Sequence, residues 1–311
     1  MAAVIEISGL RKEFRVGFWQ RRTPVLHPLD LTVNAGEIFG YLGPNGAGKT
    51  TTLKLLTGLI LPTGGSARLL GQDLTEVAAK RHVGFMPENP YFYEYLTGRE
   101  FLDLCGRLFG LRAPVRGERI GSLLCLTQLE AAADRQLRKY SKGMLQRLGL
   151  AQALINDPRL VILDEPMSGL DPLGRKAMRD TILQLKAEGR TVFFSSHILS
   201  DVEMLCDRVG ILVAGRLRDV GRLEDILTTP TEAIEVTLAQ ATPALLTALG
   251  TLTQGPILHQ PERVLLRLPD ETRLDRALRL SLEAGARVVS VAPQRVTLEE
   301  HFIREVRGAA A

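Results

Sequence analysis

The sequence predicts an α/β domain over its first two thirds and a small α+β domain after it. Short apolar runs that end at glycine or at polar residues alternate with segments of helical period, which is typical of a sheet covered by helices on both faces. Of the 311 residues, 45% are hydrophobic and 24% are charged. This globular composition excludes a chain that is disordered throughout.

The strands of the first domain are predicted from two patterns. Residues 4–8 alternate apolar and polar side chains and precede a second strand at 29–33. Three short apolar runs, which are typical of buried strands, lie at residues 38–42, 160–163 and 192–194. Apolar side chains of helical spacing predict helices at 144–155 and 175–187.

A change in basic residues predicts where the chain divides. Lys and Arg both occur up to Leu227, whereas Arg and a few His are the basic residues from Thr228 onward. We therefore expect domains at residues 1–227 and 232–311, joined by a linker at 227–231. The second domain should contain strands at 233–238, 264–268 and 288–291, and a helix over 274–282. Thr297 and Glu300 could form a capping box for a last helix.

Charge and cysteine content limit the function classes. The formal net charge is +4 and we see no basic stripe, so no nucleic-acid partner is expected. Three widely separated cysteines exclude a disulfide framework and a CxxC metal site, and they favour a reducing cytoplasm. No apolar run of about 18 residues is free of charge, so we expect neither a membrane-spanning helix nor a signal peptide.

A glycine-rich loop at 43–50 fits the pattern GxxxxGK[ST] between a predicted strand and helix. Glycines there let backbone N–H groups converge on phosphate oxygens. Lys49 should reach the β- and γ-phosphates, and the Thr50 hydroxyl is placed to bind Mg²⁺. The motif alone leaves kinases, GTPases and many ATPases open. The predicted nucleotide-binding residues are Gly43, Pro44, Asn45, Gly46, Ala47, Gly48, Lys49, Thr50 and Thr51.

Two later strands deliver polar residues at their ends. Asp164 and Glu165 follow the run 160–163, and His197 follows 192–194. Since α/β sheets place ligand sites at the carboxyl ends of strands, Asp164 could hold Mg²⁺ and Glu165 could deprotonate the attacking water. The alternative for the acids is a strand that ends in solvated carboxylates, and the alternative for His197 is a structural side chain.

Further motifs occur in an order that resembles the ATP-binding cassette (ABC) ATPases over residues 4–227. The run 139–147 resembles the family's signature motif, 168–171 its D-loop, His197 its switch histidine, and Phe14 the aromatic residue that stacks on adenine. The resemblance implies a P-loop NTPase fold of the ABC type with a helical subdomain. The signature residues are Ser141, Lys142, Gly143 and Met144, and the D-loop residues are Ser168 and Asp171.

The resemblance implies an ATPase subunit that binds ATP and Mg²⁺, forms a homodimer and powers a separately encoded permease of the ABC-2 export type. Its location would be peripheral, on the cytoplasmic face of the membrane. The signature of each subunit would meet the γ-phosphate held by the other. Two alternatives stay open, namely a soluble mechanical ATPase that acts on DNA or ribosomes and a cassette that binds ATP without turnover. Cargo, permease and direction of transport stay open too.

Three segments depart from the family pattern or extend it. Glu88 stands where the family's Q-loop has the glutamine that binds Mg²⁺, and the resemblance implies that its carboxylate holds Mg²⁺ together with Thr50 and Asp164. The insertion 17–23 could be an enlarged surface hairpin or a contact with lipid headgroups or the membrane partner. Residues 90–96 are rich in aromatic side chains, which could fill the core or line a partly exposed groove for a partner.

Overall fold

The computed structural model of the protein describes residues 2–19, 21–227, 233–294 and 298–308. The chain divides into two compact units. The first comprises Met1–Leu223 together with Glu305–Ala311, and the second comprises Glu224–Arg304. The domain boundaries expected from the sequence, 1–227 and 232–311, stay a prediction. The predicted linker residues 228–231 and the predicted cap Thr297 lie outside the described residues.

Strands and helices are interspersed along the whole described chain. The strands up to residue 222 are β1 (Ala3–Val16), β2 (Arg21–Asn34), β3 (Ile38–Leu42), β4 (Gly64–Leu69), β5 (Gln72–Asp73), β6 (Val83–Met86), β7 (Leu160–Asp164), β8 (Thr191–Ser196), β9 (Arg208–Val213) and β10 (Arg216–Arg222). The helices up to residue 227 are α1 (Lys49–Leu56), α2 (Val77–Lys80), α3 (Gly98–Leu108), α4 (Ala113–Leu126), α5 (Lys142–Ala153), α6 (Pro172–Ala187), α7 (Leu199–Leu205) and α8 (Leu223–Leu227). The remaining elements are β11 (Ala233–Ala239), α9 (Pro243–Gly250), β12 (Leu258–Gln260), β13 (Arg263–Leu268), α10 (Glu271–Glu283), β14 (Arg287–Gln294) and α11 (Leu298–Gly308).

A six-stranded sheet of order β10-β9-β3-β8-β7-β6 positions the candidate site. Its strands pair in parallel except for the antiparallel edge pair β9–β10. Every residue of β3, β7 and β8 is buried, which confirms the prediction of buried strands in these three runs. The register pairs Leu42 with Ser196 and Asp164 with Ser195, so the three strands end at the same edge.

An antiparallel sheet of order β2-β1-β4-β5 packs against the first one. One hydrophobic core joins the two sheets, because Ile5 and Leu31 of the antiparallel sheet belong to the same cluster as Phe39 and Phe193 of the parallel sheet. The rings of Phe39 and Phe193 stack at 5.6 Å between centroids. Each fully buried side chain of this size contributes about 1.5–3 kcal/mol. The sequence predicted β1 and β2 but not that they form a separate layer.

Helices α3, α4 and α5 pack on one another and carry the signature segment. A capping box starts α3, since the Thr97 hydroxyl accepts from the Glu100 N–H while the Glu100 carboxylate accepts from the Thr97 N–H. Pro114 lies in the first turn of α4, where a missing N–H costs nothing. Ser141 is the N-cap of α5. The predicted helices 144–155 and 175–187 correspond to α5 and α6. Helix α5 begins two residues before its predicted start and α6 begins three residues before its own.

The second unit has the element order β11-α9-β12-β13-α10-β14 and an antiparallel sheet of order β12-β13-β11-β14. This is the β-α-β-β-α-β arrangement of a ferredoxin-like fold. Alternate residues of β11 pack with α9 and α10 in one core, which includes Val236, Leu266, Leu249 and Ala277. The small α+β domain is confirmed, although α9 and β12 were not predicted. No helix in the described part of the chain has the length and apolar character needed to cross a bilayer.

A substitution at Gly84 on β6 tests the packing of the parallel sheet against α5. A Cβ at Gly84 would overlap the Ala153 carbonyl oxygen, and a backbone atom cannot move aside as a flexible side chain can. We expect Gly84→Ala to lower the free energy of unfolding by about 1–3 kcal/mol, measured by denaturant titration. Gly117→Ala in α4 is the control, because a Cβ there meets no atom within 4 Å. Equal stability of Gly84→Ala and the wild type would contradict this packing.

Candidate functional site

The glycine-rich loop between β3 and α1 is shaped by close backbone approach. A Cβ on Gly43 would lie 2.5 Å from the Leu212 carbonyl oxygen, so only glycine fits there. Gly48, the N-cap of α1, has φ +109°, which a side chain rarely permits. The loop therefore turns tightly into the helix, whose first-turn N–H groups lack intrahelical acceptors and carry a partial positive charge. Such a terminus favours an anion.

Lys49 is buried at the mouth of this loop. Its ammonium donates to the carbonyl oxygens of Gly43 at 2.7 Å and Pro44 at 3.3 Å, and it forms an ion pair with Glu165 at 3.2 Å. The side chains of Lys49 and Glu165 are 6% and 7% exposed. The loop carbonyls thus aim the ammonium, and the carboxylate balances its charge in a place that little water reaches.

Asp164 ends β7 below the loop and accepts two hydroxyl hydrogen bonds. Ser195 donates to its Oδ1 at 2.7 Å and Thr50 donates to the same oxygen at 3.2 Å. Burial raises the pKa of Asp164, and the hydroxyl hydrogen bonds oppose that rise. The carboxylate is therefore held in one orientation beside the Thr50 hydroxyl, and the metal-binding role of the two residues stays a prediction.

Glu165 has a left-handed backbone, with φ +48°, which is uncommon for a residue with a side chain. Its N–H donates to the Ser195 hydroxyl at 3.0 Å, and its carbonyl accepts from the Ser168 N–H at 3.0 Å. The carboxylate lies 2.8 Å from Nδ1 of His197, which follows β8. These contacts hold a strained residue at the end of a strand, where strain accompanies function.

A cavity of about 550 Å³ lies over the loop and brings together residues from five predicted motifs. The glycine-rich loop forms one wall, and Glu88, Glu165, Ser168 and His197 form others. The residues that line it are Val25, Pro44, Asn45, Gly46, Ala47, Gly48, Lys49, Thr50, Thr51, Glu88, Glu165, Ser168 and His197. Gly43 and Asp164 lie behind this surface, in contact with Lys49 and Thr50.

Phe14 is not among the residues that line the cavity. It lies on β1 opposite Thr23, its side chain is 37% exposed, and the Lys12 ammonium sits 5.0 Å from its ring centroid. Val25 of β2 is the apolar residue of the hairpin that reaches the cavity wall. Val25 was not predicted from the sequence, since one valine in a strand carries no functional signal.

The signature residues lie outside this cavity and next to the D-loop. Ser141 caps α5 by accepting from the Met144 N–H at 3.3 Å. The Lys142 ammonium packs over Gly169, and a Cβ on Gly143 would lie 3.6 Å from Leu170. Asp171 of the D-loop caps α6 by accepting from the Gly174 N–H at 3.0 Å. Ser168 reaches the cavity from the same loop, so the D-loop connects the cavity wall to the signature helix.

Ser195 is a site residue that was not predicted from the sequence. It is fully buried, and its hydroxyl joins the Asp164 carboxylate to the Glu165 N–H. The available signal was a polar pair, Ser195 and Ser196, at the end of an otherwise apolar strand. That pattern alone does not distinguish a site residue from a strand terminus.

The donor atoms at this edge fit a magnesium ion that shares its ligands with phosphates. The described residues contain no cluster of three or more His, Cys, Asp and Glu side chains that could hold a metal by themselves. Mg²⁺ in phosphate sites uses one or two carboxylates, hydroxyls and water with the substrate oxygens. Asp164 and Thr50 supply such a set 3.2 Å apart, and Glu88 lies on the cavity wall.

Comparison with known proteins decides the family. The family model described as ABC transporter matches residues 26–168. An ABC transporter ATP-binding protein from Synechocystis is 45% identical over 98% of this chain and 85% of its own length. This chain belongs to the ABC transporter ATP-binding proteins. It is thus an ABC ATPase, the ATP-binding subunit of a transporter.

Other relatives and a solved structure agree with this assignment of the cassette. The bacitracin transport ATP-binding protein of Bacillus licheniformis is 35% identical, with 99% of each chain covered. A solved ATP-binding subunit of an ABC transporter shares 34% identity and a TM-score of 0.64, covering 72% of this chain and 92% of its own. The predicted P-loop NTPase fold of the ABC type is confirmed.

Removing the Ser195 hydroxyl should weaken the support of both acids. In Ser195→Ala the buried Glu165 N–H loses its acceptor, which costs about 1–3 kcal/mol of stability. We also expect a higher Mg²⁺ concentration for half-maximal hydrolysis, because Asp164 loses one of its two hydroxyl donors. Thermal unfolding and a Mg²⁺ titration measure the two effects. Ser122→Ala, which removes an exposed hydroxyl in α4, is the control, and an equal response of both variants would refute the role of Ser195.

Proposed function

We propose that this cassette hydrolyses ATP to power a separate membrane permease, most similar to the ABC-2 exporters. The observation that carries the proposal is the contact of Lys49 with Glu165 and of Glu165 with His197, at 3.2 Å and 2.8 Å, on the wall of the cavity over the glycine-rich loop. These contacts bring a cation, a base and a histidine to one point. The bacitracin transport relative supports export.

The chain would bind the nucleotide through a charged side chain and through backbone N–H groups. The N–H groups of the loop and the start of α1 surround the phosphates, and Lys49 contacts the β- and γ-phosphates. Phe14 stacks on the adenine from β1, and Val25 contributes the apolar wall between the ring and the loop. The Lys12 ammonium lies over one face of the Phe14 ring, so the adenine would stack on the other face.

Hydrolysis depends on the orientation of Glu165. Its carboxylate accepts a proton from the attacking water, while the contact with His197 fixes its direction. The His197 side chain is 42% exposed on the cavity side, where it can also contact the γ-phosphate. Thr50, Asp164 and Glu88 would hold Mg²⁺, which supplies charge neutralisation for the phosphate oxygens when bound.

A second copy of the cassette completes the site in this proposal. Ser141, Lys142, Gly143 and Met144 form a helix N-terminus with a capping hydroxyl, which favours an anion. These residues do not line the chain's own cavity. In a homodimer, the signature of one subunit meets the γ-phosphate bound by the other. Ser168 and Asp171 of the D-loop would connect the two ATP sites of this homodimer.

The segment after Glu88 offers a surface for the membrane partner. Tyr91, Tyr93 and Tyr95 are 89%, 46% and 68% exposed, and their rings contact in sequence at 6.5 Å and 6.0 Å. Phe92 points inward and packs on Phe101. The stretch is therefore divided, since Phe92 fills the core while the three tyrosines stay exposed and would be available to a partner. Exposed tyrosines of this kind are common at protein interfaces.

Replacing the base should separate ATP binding from hydrolysis. We expect Glu165→Gln to lower kcat by roughly 100-fold or more and to trap an ATP-bound dimer, measured by phosphate release and by size-exclusion chromatography with ATP. Lys49→Ala is the companion variant and should lose tight nucleotide binding. Normal turnover of Glu165→Gln would remove Glu165 from the mechanism, and unchanged ATP affinity of Lys49→Ala would contradict the role of the lysine.

Purification from native membranes tests the transporter assignment. We expect the tagged chain, extracted in mild detergent, to bring down a polytopic membrane protein in stoichiometric amount. A variant with Tyr91, Tyr93 and Tyr95 replaced by Ser should lose that protein while it keeps ATP hydrolysis. Recovery of the chain alone, or with ribosomes or DNA, would instead favour a soluble mechanical ATPase.

A further inference from the structure

The β1–β2 hairpin ends in an exposed aromatic pair that the ATPase site does not use. Phe18 and Trp19 lie in the turn between the strands, and they are 92% and 88% exposed. Their rings pack edge to face at 5.6 Å between centroids. The two rings touch each other rather than the core, so a fold-stabilising role does not account for them. Exposed large apolar side chains of this kind mark contact surfaces.

The positive charge of the protein is concentrated at this hairpin. Residues 11–22 hold five basic residues and one acid, and this segment alone accounts for the formal net charge of +4. The rest of the chain is therefore neutral on balance. Within this segment we define residues 15–22 as the hairpin tip. The tip carries three arginines and no acid, and Arg15, Arg21 and Arg22 are all exposed.

The pairing of the strands sets like charges beside each other. Arg15 lies directly opposite Arg22, and like charges in that position repel. Glu13 offers Arg22 only a distant contact at 3.9 Å, with the arginine 70% exposed. Neither Arg15 nor Arg21 has a carboxylate partner in the described chain. A bound anion would relieve this repulsion.

The arginine pair does not serve the ATP phosphates. Side chains alternate between the two faces of a strand, so Arg15 and Arg22 lie on the face of the hairpin opposite to Phe14 and Thr23. None of the three arginines lines the cavity. The anion that Arg15 and Arg22 attract is therefore a different one from the nucleotide, whose adenine the proposed function places on the Phe14 face.

We propose that the hairpin tip is a membrane-binding site that takes anionic phospholipid headgroups. Phe18 and Trp19 enter the interfacial layer, which favours aromatic side chains, and the arginines pair with lipid phosphates. The charge of the tip matches the negative surface of a cytoplasmic leaflet. This inference goes beyond the proposed function, because it needs neither a permease nor ATP turnover.

The chain supplies its own reporter for the test. Trp19 is the single tryptophan of the protein, so its fluorescence reports on the tip alone. Purified full-length protein is mixed with protein-free vesicles of phosphatidylcholine, with and without phosphatidylglycerol. We expect a blue shift of Trp19 emission and co-sedimentation with the anionic vesicles only, both reversed by high salt.

Charge reversal at the tip is the decisive variant. Arg21→Glu with Arg22→Glu should weaken binding to anionic vesicles by about 25-fold or more, since each arginine near such a surface contributes about fivefold. The control is Arg276→Glu with Arg279→Glu, which makes the same charge change at exposed positions of α10 and should bind as the wild type does. Both variants should keep ATP hydrolysis in solution, which shows that they are folded.

Three outcomes would overturn the proposal. Vesicle binding without a shift of Trp19 emission would place the lipid contact elsewhere on the chain. Equal loss of vesicle binding in the tip variant and in the α10 control would show that binding depends on the overall net charge and not on the hairpin tip. No binding of wild type to anionic vesicles, together with loss of the co-purifying membrane protein in the tip variant, would assign the hairpin to a protein partner. None of these results bears on Glu165 or Lys49, so they leave the proposed ATPase mechanism untouched.

Discussion

The parallel register of β3, β7 and β8 is the constraint on which the site depends. Backbone hydrogen bonds pair Leu42 with Ser196 and Asp164 with Ser195, so the three strands deliver the loop, the acids and the histidine to one edge. A shift of one residue in β8 would turn Ser195 to the other face of the sheet and break its contacts with Asp164 and Glu165. Because all three strands are buried on both faces, such a shift would also force side chains that fit one packed layer into the other, which costs packing energy.

Buried charge is the second feature of this edge, and it is balanced locally. Lys49 and Glu165 neutralise each other at 3.2 Å, and two hydroxyls support Asp164. Removing Lys49 or Glu165 would leave the other charge buried without its ion-pair partner, which costs stability, although Lys49 keeps its two carbonyl acceptors and Glu165 keeps His197. In the proposed mechanism, a phosphate replaces Glu165 as the partner of Lys49. The carboxylate then keeps His197 as its contact and is free to accept a proton from water.

The parts of the fold that follow from local pattern could be predicted from the sequence. Continuous apolar runs indicated β3, β7 and β8, and the loop motif indicated the turn into α1. The antiparallel layer could not be predicted, because its strands pair with partners far along the chain, such as Ile7 with Ala67. The motifs named most of the cavity wall. Ser195 and Val25 were missed, because their roles come from what the fold places beside them and not from their residue types.

The position of the signature explains why one chain makes only part of the proposed site. Ser141 and Lys142 start a helix whose N-terminus attracts anions, yet the chain's own loop residues line a different surface. The Lys142 ammonium lies over Gly169 and pairs with no carboxylate of the described chain, so positive charge accumulates there instead of being neutralised. A lysine at the positive end of a helix is electrostatically unfavourable in isolation. In the proposed homodimer, a phosphate held by the second copy would reverse the sign of that interaction, so ATP between the two subunits would convert repulsion within each chain into attraction between them.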